Sequence, residues 1–166
     1  MRFDNEQSGT AADLINQTSE EELAKIIFEF GEERYSRKIA KSIKSTKNIL
    51  TALDLKEAIR RATPPHKRNK TLARVFQAIR IAVNSELEKL KIFLNIFIDY
   101  LTVGGRIIIM SYHSIEDRMV KHAFRSLKES GKLNILTKKP VTPSTDELIS
   151  NNRSRSAKLR AAERLI

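Results

Sequence analysis

A group of polar side chains follows the most apolar short segment of the chain. Residues Arg106–Ser111 (RIIIMS) predict a buried strand, and His113 and Ser114 come just after it, before a predicted helix. Open α/β sheets bind ligands at this position, past the carboxyl end of a strand. Ser111, Tyr112, His113 and Ser114 are therefore candidates for a ligand pocket. The alternative is local: Ser114 would cap the helix, Glu116 and Asp117 would complement its dipole, and His113 would be an ordinary loop histidine.

Two basic stretches could contact a polyanion. Residues 137–160 carry six basic and two acidic side chains, interspersed with Ser, Thr and Asn rather than with apolar residues. On a predicted helix, Arg74, Arg80 and Asn84 fall on one stripe. Such side chains suit phosphate contacts, which position RNA without reading its sequence. The alternatives are a solvated loop over residues 144–156 and ordinary solvent exposure of the helix stripe.

The charge of the chain favours a nucleic-acid partner. The net charge is +11, and residues 1–33 carry two basic and nine acidic side chains, whereas residues 34–166 carry twenty-nine basic and eleven acidic ones. A surface this basic usually binds a polyanion. A lysine-rich surface selected for solubility is the alternative. A membrane surface is disfavoured, because no basic helix has a continuous bulky apolar face with aromatic anchors.

Several kinds of site are missing from the sequence. Without cysteine the chain has no disulfide, thiolate nucleophile or cysteine-based zinc site, which suits the cytoplasm. The three histidines are too scattered for a metal site. No glycine motif of the nucleotide-binding type occurs, since the only doublet, Gly104-Gly105, precedes a strand. We predict a cytoplasmic chain with no metal, no signal peptide and no membrane partner.

The first half of the sequence predicts a run of short helices. Thr10, Ser19 and Thr51 each precede a helical pattern, and Ser19 does so within a capping box. Gly31 is expected to end the second helix as its C-terminal stop. Residues 64–70, which contain two prolines, predict a basic linker and the main domain boundary.

The second half predicts alternating helices and strands. Residues 71–101 form the longest periodic stretch, interpreted as one helix of roughly eight turns. The RIIIMS strand lacks polar alternation, which predicts that both of its faces are covered within an α/β sheet. A helix begun by Ser114 and Asp117 should follow, and further strands are predicted within 133–137 and 157–166.

Taken in order and spacing, several segments resemble the MraW/RsmH family of S-adenosylmethionine-dependent methyltransferases. The resemblance covers essentially the whole chain and is most specific between residues 75 and 121. The segments that carry it are MRFD, TAADLINQTSEEELAKI, GEERYSRKIAKSI, VFQAIRIAVNSEL, GGRIIIMSYHSIEDRMVK, LTKKPVTPS and RSRSAKLRAAERL. It departs at residues 69–73, where many members carry a His-Pro-Ala-Thr type sequence.

The resemblance implies an α/β fold: an incomplete class I (Rossmann-like) methyltransferase C-terminal half with an N-terminal helical (inserted) domain. Residues 1–68 would be the helical inserted domain, and residues 69–166 the C-terminal part of the methyltransferase domain. The last three strands would lie in the order five-seven-six, with the final strand antiparallel. The family's residues for S-adenosyl-L-methionine lie upstream of Met1, so the resemblance implies no cofactor-binding residue in this chain.

The resemblance also implies a function, the methylation of N4 of a cytosine at the decoding site of 16S rRNA in the small ribosomal subunit. Ser111, His113 and Asp117 would shape the pocket for the base, as the catalytic candidates. Arg2 would lie near the active-site mouth. The full set of candidate RNA-binding residues is Arg2, Arg74, Arg80, Asn84, Arg118, Lys121, Lys138, Lys139, Arg153, Arg155 and Lys158.

The chain alone is predicted to be inactive, because S-adenosyl-L-methionine would bind mainly outside it. A non-catalytic RNA-binding module and one half of a split methyltransferase are the alternatives. Strand 106–111 is expected at an exposed sheet edge, open to self-association or to pairing with a missing N-terminal half.

Overall fold

The computed structural model describes residues 9–47 and 49–166, so Arg2 lies outside the described residues. The chain divides into two compact units, the first ending at Glu86 and the second comprising Leu87–Ile166. The predicted boundary after residue 68 falls inside the first unit, because the helix that begins there packs on an earlier helix. The assignment of residues 1–68 and 69–166 to two domains stays a prediction.

The first unit is built from helices whose apolar faces meet in one core. In chain order they are α1 (Ala11–Gln17), α2 (Glu20–Gly31), α3 (Ser36–Lys44), α4 (Ala52–Ala62) and α5 (Arg68–Asn84). Capping boxes at Thr10, Ser19 and Thr51 begin α1, α2 and α4, as predicted. The core includes Leu23, Ile27, Ile39, Ile59 and Ile79, all fully buried. The predicted linker is shorter than expected, since α5 already begins at Arg68.

Gly31 is the last residue of α2, as predicted, and it also matters for packing. The left-handed residue that follows the helix is Glu32, with φ of 50°. A Cβ on Gly31 would lie 2.7 Å from the carbonyl oxygen of Arg74. The backbones of α2 and α5 therefore approach each other closely at this glycine, and any side chain would push them apart.

The long helix predicted over residues 71–101 is interrupted at Ser85. This residue is left-handed, with φ of 51° and ψ of 39°, and it ends α5. A second helix, α6 (Glu86–Ile96), follows and passes into a 3₁₀ turn over Phe97–Tyr100. The prediction of one continuous helix was wrong, because the apolar periodicity continues across a break that no Gly or Pro marks.

The second unit combines helices with a three-stranded sheet. Its further elements are β1 (Arg106–Ser111), α7 (Ser114–Glu129), β2 (Leu133–Ile135), α8 (Thr145–Ser150) and β3 (Lys158–Arg164). The strand order is β1-β3-β2, and β3 is antiparallel to both neighbours. This is the order that the resemblance implies for the last three strands, with the final strand antiparallel. The chain is therefore an α/β protein, as predicted.

Only one face of the sheet is covered. Ile107 and Ile109 of β1 pack with Phe97 and Phe124 in the core of the second unit. Ile108, on the opposite face of β1, is 64% exposed. The prediction that β1 is covered on both faces is wrong for the described chain, since α6 and α7 supply core residues to one face only. Among the described residues β1 also pairs with β3 alone, so it lies at an edge, as predicted.

Candidate nucleic-acid interface

His113 begins α7 and acts as its N-cap. The Glu116 backbone N–H donates to Nδ1 of His113 over 3.3 Å, and the Glu116 side chain accepts from the His113 backbone N–H. The prediction that Ser114 and Asp117 cap the helix is wrong, because Ser114 is already the first helical residue. His113 and Glu116 form the capping box instead. Sequence reasoning missed it, since histidine is not among the usual N-cap residues.

The imidazole of His113 is buried beside a carboxylate. Its Nε2 lies 3.3 Å from Oε1 of Glu116 but outside hydrogen-bonding geometry, and within the described residues this nitrogen has no hydrogen-bond partner. Burial raises the pKa of Glu116, but the His113 side chain and the backbone N–H groups of Tyr112 and His113 outweigh it and hold that pKa below its ordinary value. Glu116 is therefore ionised at neutral pH.

Asp117 is held by two basic residues of β3. Its Oδ1 accepts from Nε of Arg160 over 2.7 Å, and its Oδ2 accepts from Nη2 over 3.3 Å. Nζ of Lys158 lies 3.6 Å from Oδ2. Burial raises the pKa of Asp117, yet the hydrogen bonds and charge of Arg160, with the charge of Lys158, bring it below its ordinary value. Asp117 is thus ionised, and both of its oxygens contact basic side chains of β3.

The three pocket candidates lie at the carboxyl end of β1. Ser111 is buried as the last residue of that strand, and its partner in the ladder is Lys158. Since Lys158 also contacts Asp117, the ladder brings Ser111 and Asp117 to the same end of the sheet. His113 lies between them in sequence, at the first turn of α7. No observation tests their role in a base pocket, which stays a prediction.

The three polar side chains on one stripe of α5 all contact other residues of the first unit. Arg74 lies 3.7 Å from Glu33, and Arg80 makes two hydrogen bonds with Glu86, of 2.9 and 3.0 Å. Asn84 is buried and donates to the carbonyl oxygen of Arg80. These contacts hold the end of α5 in place. RNA binding by Arg74, Arg80 and Asn84 stays a prediction.

The remaining basic candidates belong to the second unit. Arg118 and Lys121 are exposed on α7, Lys138 and Lys139 follow β2, and Arg153 and Arg155 are exposed in a 3₁₀ turn before β3. Lys158 differs from them, because it contacts Asp117.

Two of these residues, Lys121 and Lys138, line a groove of about 540 Å³ between α7 and β2. The other residues of its lining are Phe124, Arg125, Lys128, Glu129, Asn134, Ile135 and Arg160. Arg125, Lys128 and Arg160 were not predicted as site residues. The signal for Arg125 and Lys128 is their spacing from Lys121, which places three cations on one helix face.

The described glycines do not form a cradle for a nucleotide cofactor. Gly104, with φ of 77°, precedes β1, and Gly131, with φ of 73°, follows α7. Neither lies between the end of a strand and the start of a helix, where a glycine-rich turn approaches a dinucleotide or related cofactor. That the cofactor-binding residues lie outside this chain stays a prediction. No helix in the described part of the chain is both long and apolar enough to cross a membrane.

Comparison with known proteins identifies the relatives of the chain. A family model described as the MraW methylase family matches residues 1–165. A ribosomal RNA small subunit methyltransferase H from Kosmotoga olearia is 52% identical over 99% of the chain and 57% of its own length. A protein of the same name from Thermotoga neapolitana is 54% identical over 98% of the chain and 55% of its own length. The chain thus spans about half the length of these curated relatives. It belongs to the MraW methylase family.

Proposed function

We propose that this chain is the substrate-side part of an S-adenosylmethionine-dependent methyltransferase that acts on N4 of a cytosine at the decoding site of 16S rRNA. The observation that carries the proposal is the similarity, over 98% and 99% of the chain, to two proteins named ribosomal RNA small subunit methyltransferase H. The order β1-β3-β2 with an antiparallel β3 supports a class I, Rossmann-like sheet that further strands would complete.

Methylation of an exocyclic amine needs the target base out of its stack and held against the methyl donor. When bound, S-adenosylmethionine would supply the methyl group. Ser111 and His113 are proposed to shape the pocket for the base, since both are buried at the carboxyl end of β1. Asp117 is proposed as a positioning residue, because Arg160 and Lys158 occupy both of its oxygens.

A second candidate is a non-catalytic RNA-binding module. The observation that favours it is the poor fit of the described glycines to a nucleotide cofactor. A split methyltransferase, with the cofactor on another polypeptide, would explain the same observation. RNA is the partner in both the RNA-binding module and the split methyltransferase.

Two measurements separate the candidates. Isothermal titration of the chain with S-adenosylmethionine should give no micromolar binding, and such binding would overturn the placement of the cofactor site outside the chain. In the second, the chain is joined to the part of the Thermotoga neapolitana relative that lies outside the aligned region, and unmethylated small ribosomal subunits are the substrate. Mass spectrometry of the nucleosides should show N4-methylcytidine. Cofactor binding by the joined protein without any cytosine methylation would favour the RNA-binding module.

We also propose that the open side of β1 is a pairing edge. Its outer face carries Ile108 and Met110, which are 64% and 52% exposed. Among the described strands β1 pairs with β3 alone, so its other edge presents unpaired backbone groups to another strand, from a second copy or from a separate polypeptide.

A further inference from the structure

The groove between α7 and β2 holds positive charge that the protein does not neutralise. Lys121, Arg125 and Lys128 line it from α7, and Lys138 lines it from the segment after β2. Within residues 9–47 and 49–166, none of these four side chains has an ion pair or a side-chain hydrogen bond. The lining contains a single carboxylate, Glu129. The lining therefore carries a clear excess of positive charge.

The sequence spacing of the α7 cations makes their mutual repulsion unavoidable. Lys121, Arg125 and Lys128 are separated by four and three residues, so neighbouring Cβ atoms lie about 5–6 Å apart on one face of the helix. Like charges at this spacing destabilise a helix unless an anion lies between them. Repulsion among these three cations therefore lowers the stability of α7, and a bound polyanion would offset that loss.

The back of the groove is formed by ordered groups. Arg160 is buried, and its orientation is held by two hydrogen bonds to Asp117. Phe124, which is 1% exposed, belongs to the core of the second unit, and Ile135 packs against that core. The cations therefore surround a recess with defined walls rather than a flat surface.

We propose that this α7–β2 groove binds consecutive phosphate groups of an RNA strand. The inference rests on the proposed function for the identity of the polyanion, and it adds the location of the contact and the residues Arg125 and Lys128. A row of cations along one helix face suits a chain of phosphates better than a single small anion. The single aromatic residue of the lining, Phe124, is buried and presents no ring for base stacking. The groove therefore contacts the backbone without reading bases.

The test compares two pairs of charge removals in the second unit. Arg125→Gln with Lys128→Gln removes two groove cations. Lys89→Gln with Lys91→Gln removes two exposed cations of α6 that do not line the groove. Binding of a fluorescein-labelled RNA hairpin with the decoding-site sequence, and of a scrambled hairpin of equal length, is followed by fluorescence anisotropy over a range of salt concentrations. Circular dichroism checks that each variant is folded, and Arg125→Lys with Lys128→Arg tests whether charge alone suffices.

The groove variant should bind both hairpins about tenfold more weakly at low salt and lower the slope of log affinity against log salt by about 1.5. The α6 variant should change affinity by less than about twofold, and the charge-conserving variant should bind like the parent chain. Equal losses in the groove and α6 variants would overturn the groove while leaving RNA as the partner. No RNA binding by the parent chain would overturn the proposed function as well. A loss confined to the decoding-site hairpin would contradict recognition of the backbone alone.

Discussion

At the scale of single residues, Asp117 shows how a candidate pocket residue can have a structural task. Its carboxylate joins α7 to β3 through two hydrogen bonds with Arg160, and both side chains are largely buried. Removing one partner of such a pair leaves the other charge buried and uncompensated. Asp117 therefore orients Arg160 at the back of the groove and holds α7 against the sheet.

We expect Asp117→Asn to lower the free energy of unfolding by about 3 kcal/mol at neutral pH. The pKa of Asp117 is lowered in the folded chain, so its contribution is complete above the unfolded value of about 4 and is lost as the pH falls through the lower, folded value. Urea unfolding at pH 7, 5 and 3 should therefore show equal losses at pH 7 and 5 and a smaller loss at pH 3.

The control for this variant is Asp99→Asn, because Asp99 is exposed. It should change the free energy of unfolding by no more than about 0.5 kcal/mol. A loss for Asp117→Asn that grows between pH 7 and pH 5 would contradict the lowered pKa.

At the scale of elements, the break at Ser85 decides how the longest apolar-periodic stretch is divided. A left-handed conformation costs a residue with a Cβ about 1–2 kcal/mol relative to its right-handed form. Ser85 adopts it, and two helices result where the periodicity indicated one. The break at Ser85 therefore carries this local cost.

Ser85→Gly should raise the free energy of unfolding by about 1 kcal/mol, because glycine adopts positive φ without a Cβ clash. Thermal unfolding followed by circular dichroism measures the change. Ser126→Gly is the matched control: Ser126 lies in the middle of right-handed α7 and is exposed, so the same substitution there should cost about 0.5 kcal/mol. Destabilisation by both substitutions would show that Ser85 is not left-handed in solution.

At the scale of the whole molecule, charge and the open sheet have different consequences. The net charge of +11 favours association with a polyanion and opposes association between copies. The exposed apolar face of β1 favours self-association, which salt should strengthen by screening the charge. RNA binding and self-association should therefore respond to salt in opposite directions.

We expect Ile108→Lys to prevent self-association, because a lysine on an exposed edge strand blocks pairing with another strand. Sedimentation velocity at about 0.5 M salt, where charges are screened, should show oligomers of the parent chain and monomers of the variant. Val103→Lys adds the same charge at an apolar residue that is 67% exposed but lies outside β1, and it should leave the oligomers intact. A parent chain that stays monomeric would refute the proposed pairing edge.

The sequence by itself determined the features that depend on neighbouring residues. Thr10, Ser19 and Thr51 were identified as helix caps because a cap needs only its own turn of backbone. Strand β1 was identified from a short apolar run between a glycine doublet and a capped helix. The order of the strands, by contrast, came from the family resemblance, because pairing between strands far apart in sequence leaves no local signal.

The tertiary structure decided which polar side chains have partners. Asp117 was predicted to line a pocket, yet its carboxylate accepts a hydrogen bond from Arg160, forty-three positions later in the chain. The groove could not be predicted from the sequence for the same reason, since its cations come from α7 and from the segment after β2. Helical spacing placed Lys121, Arg125 and Lys128 on one face, but only packing shows that no acidic side chain in the described part of the chain forms an ion pair with them. Local patterns set the elements here, and contacts between elements set the site.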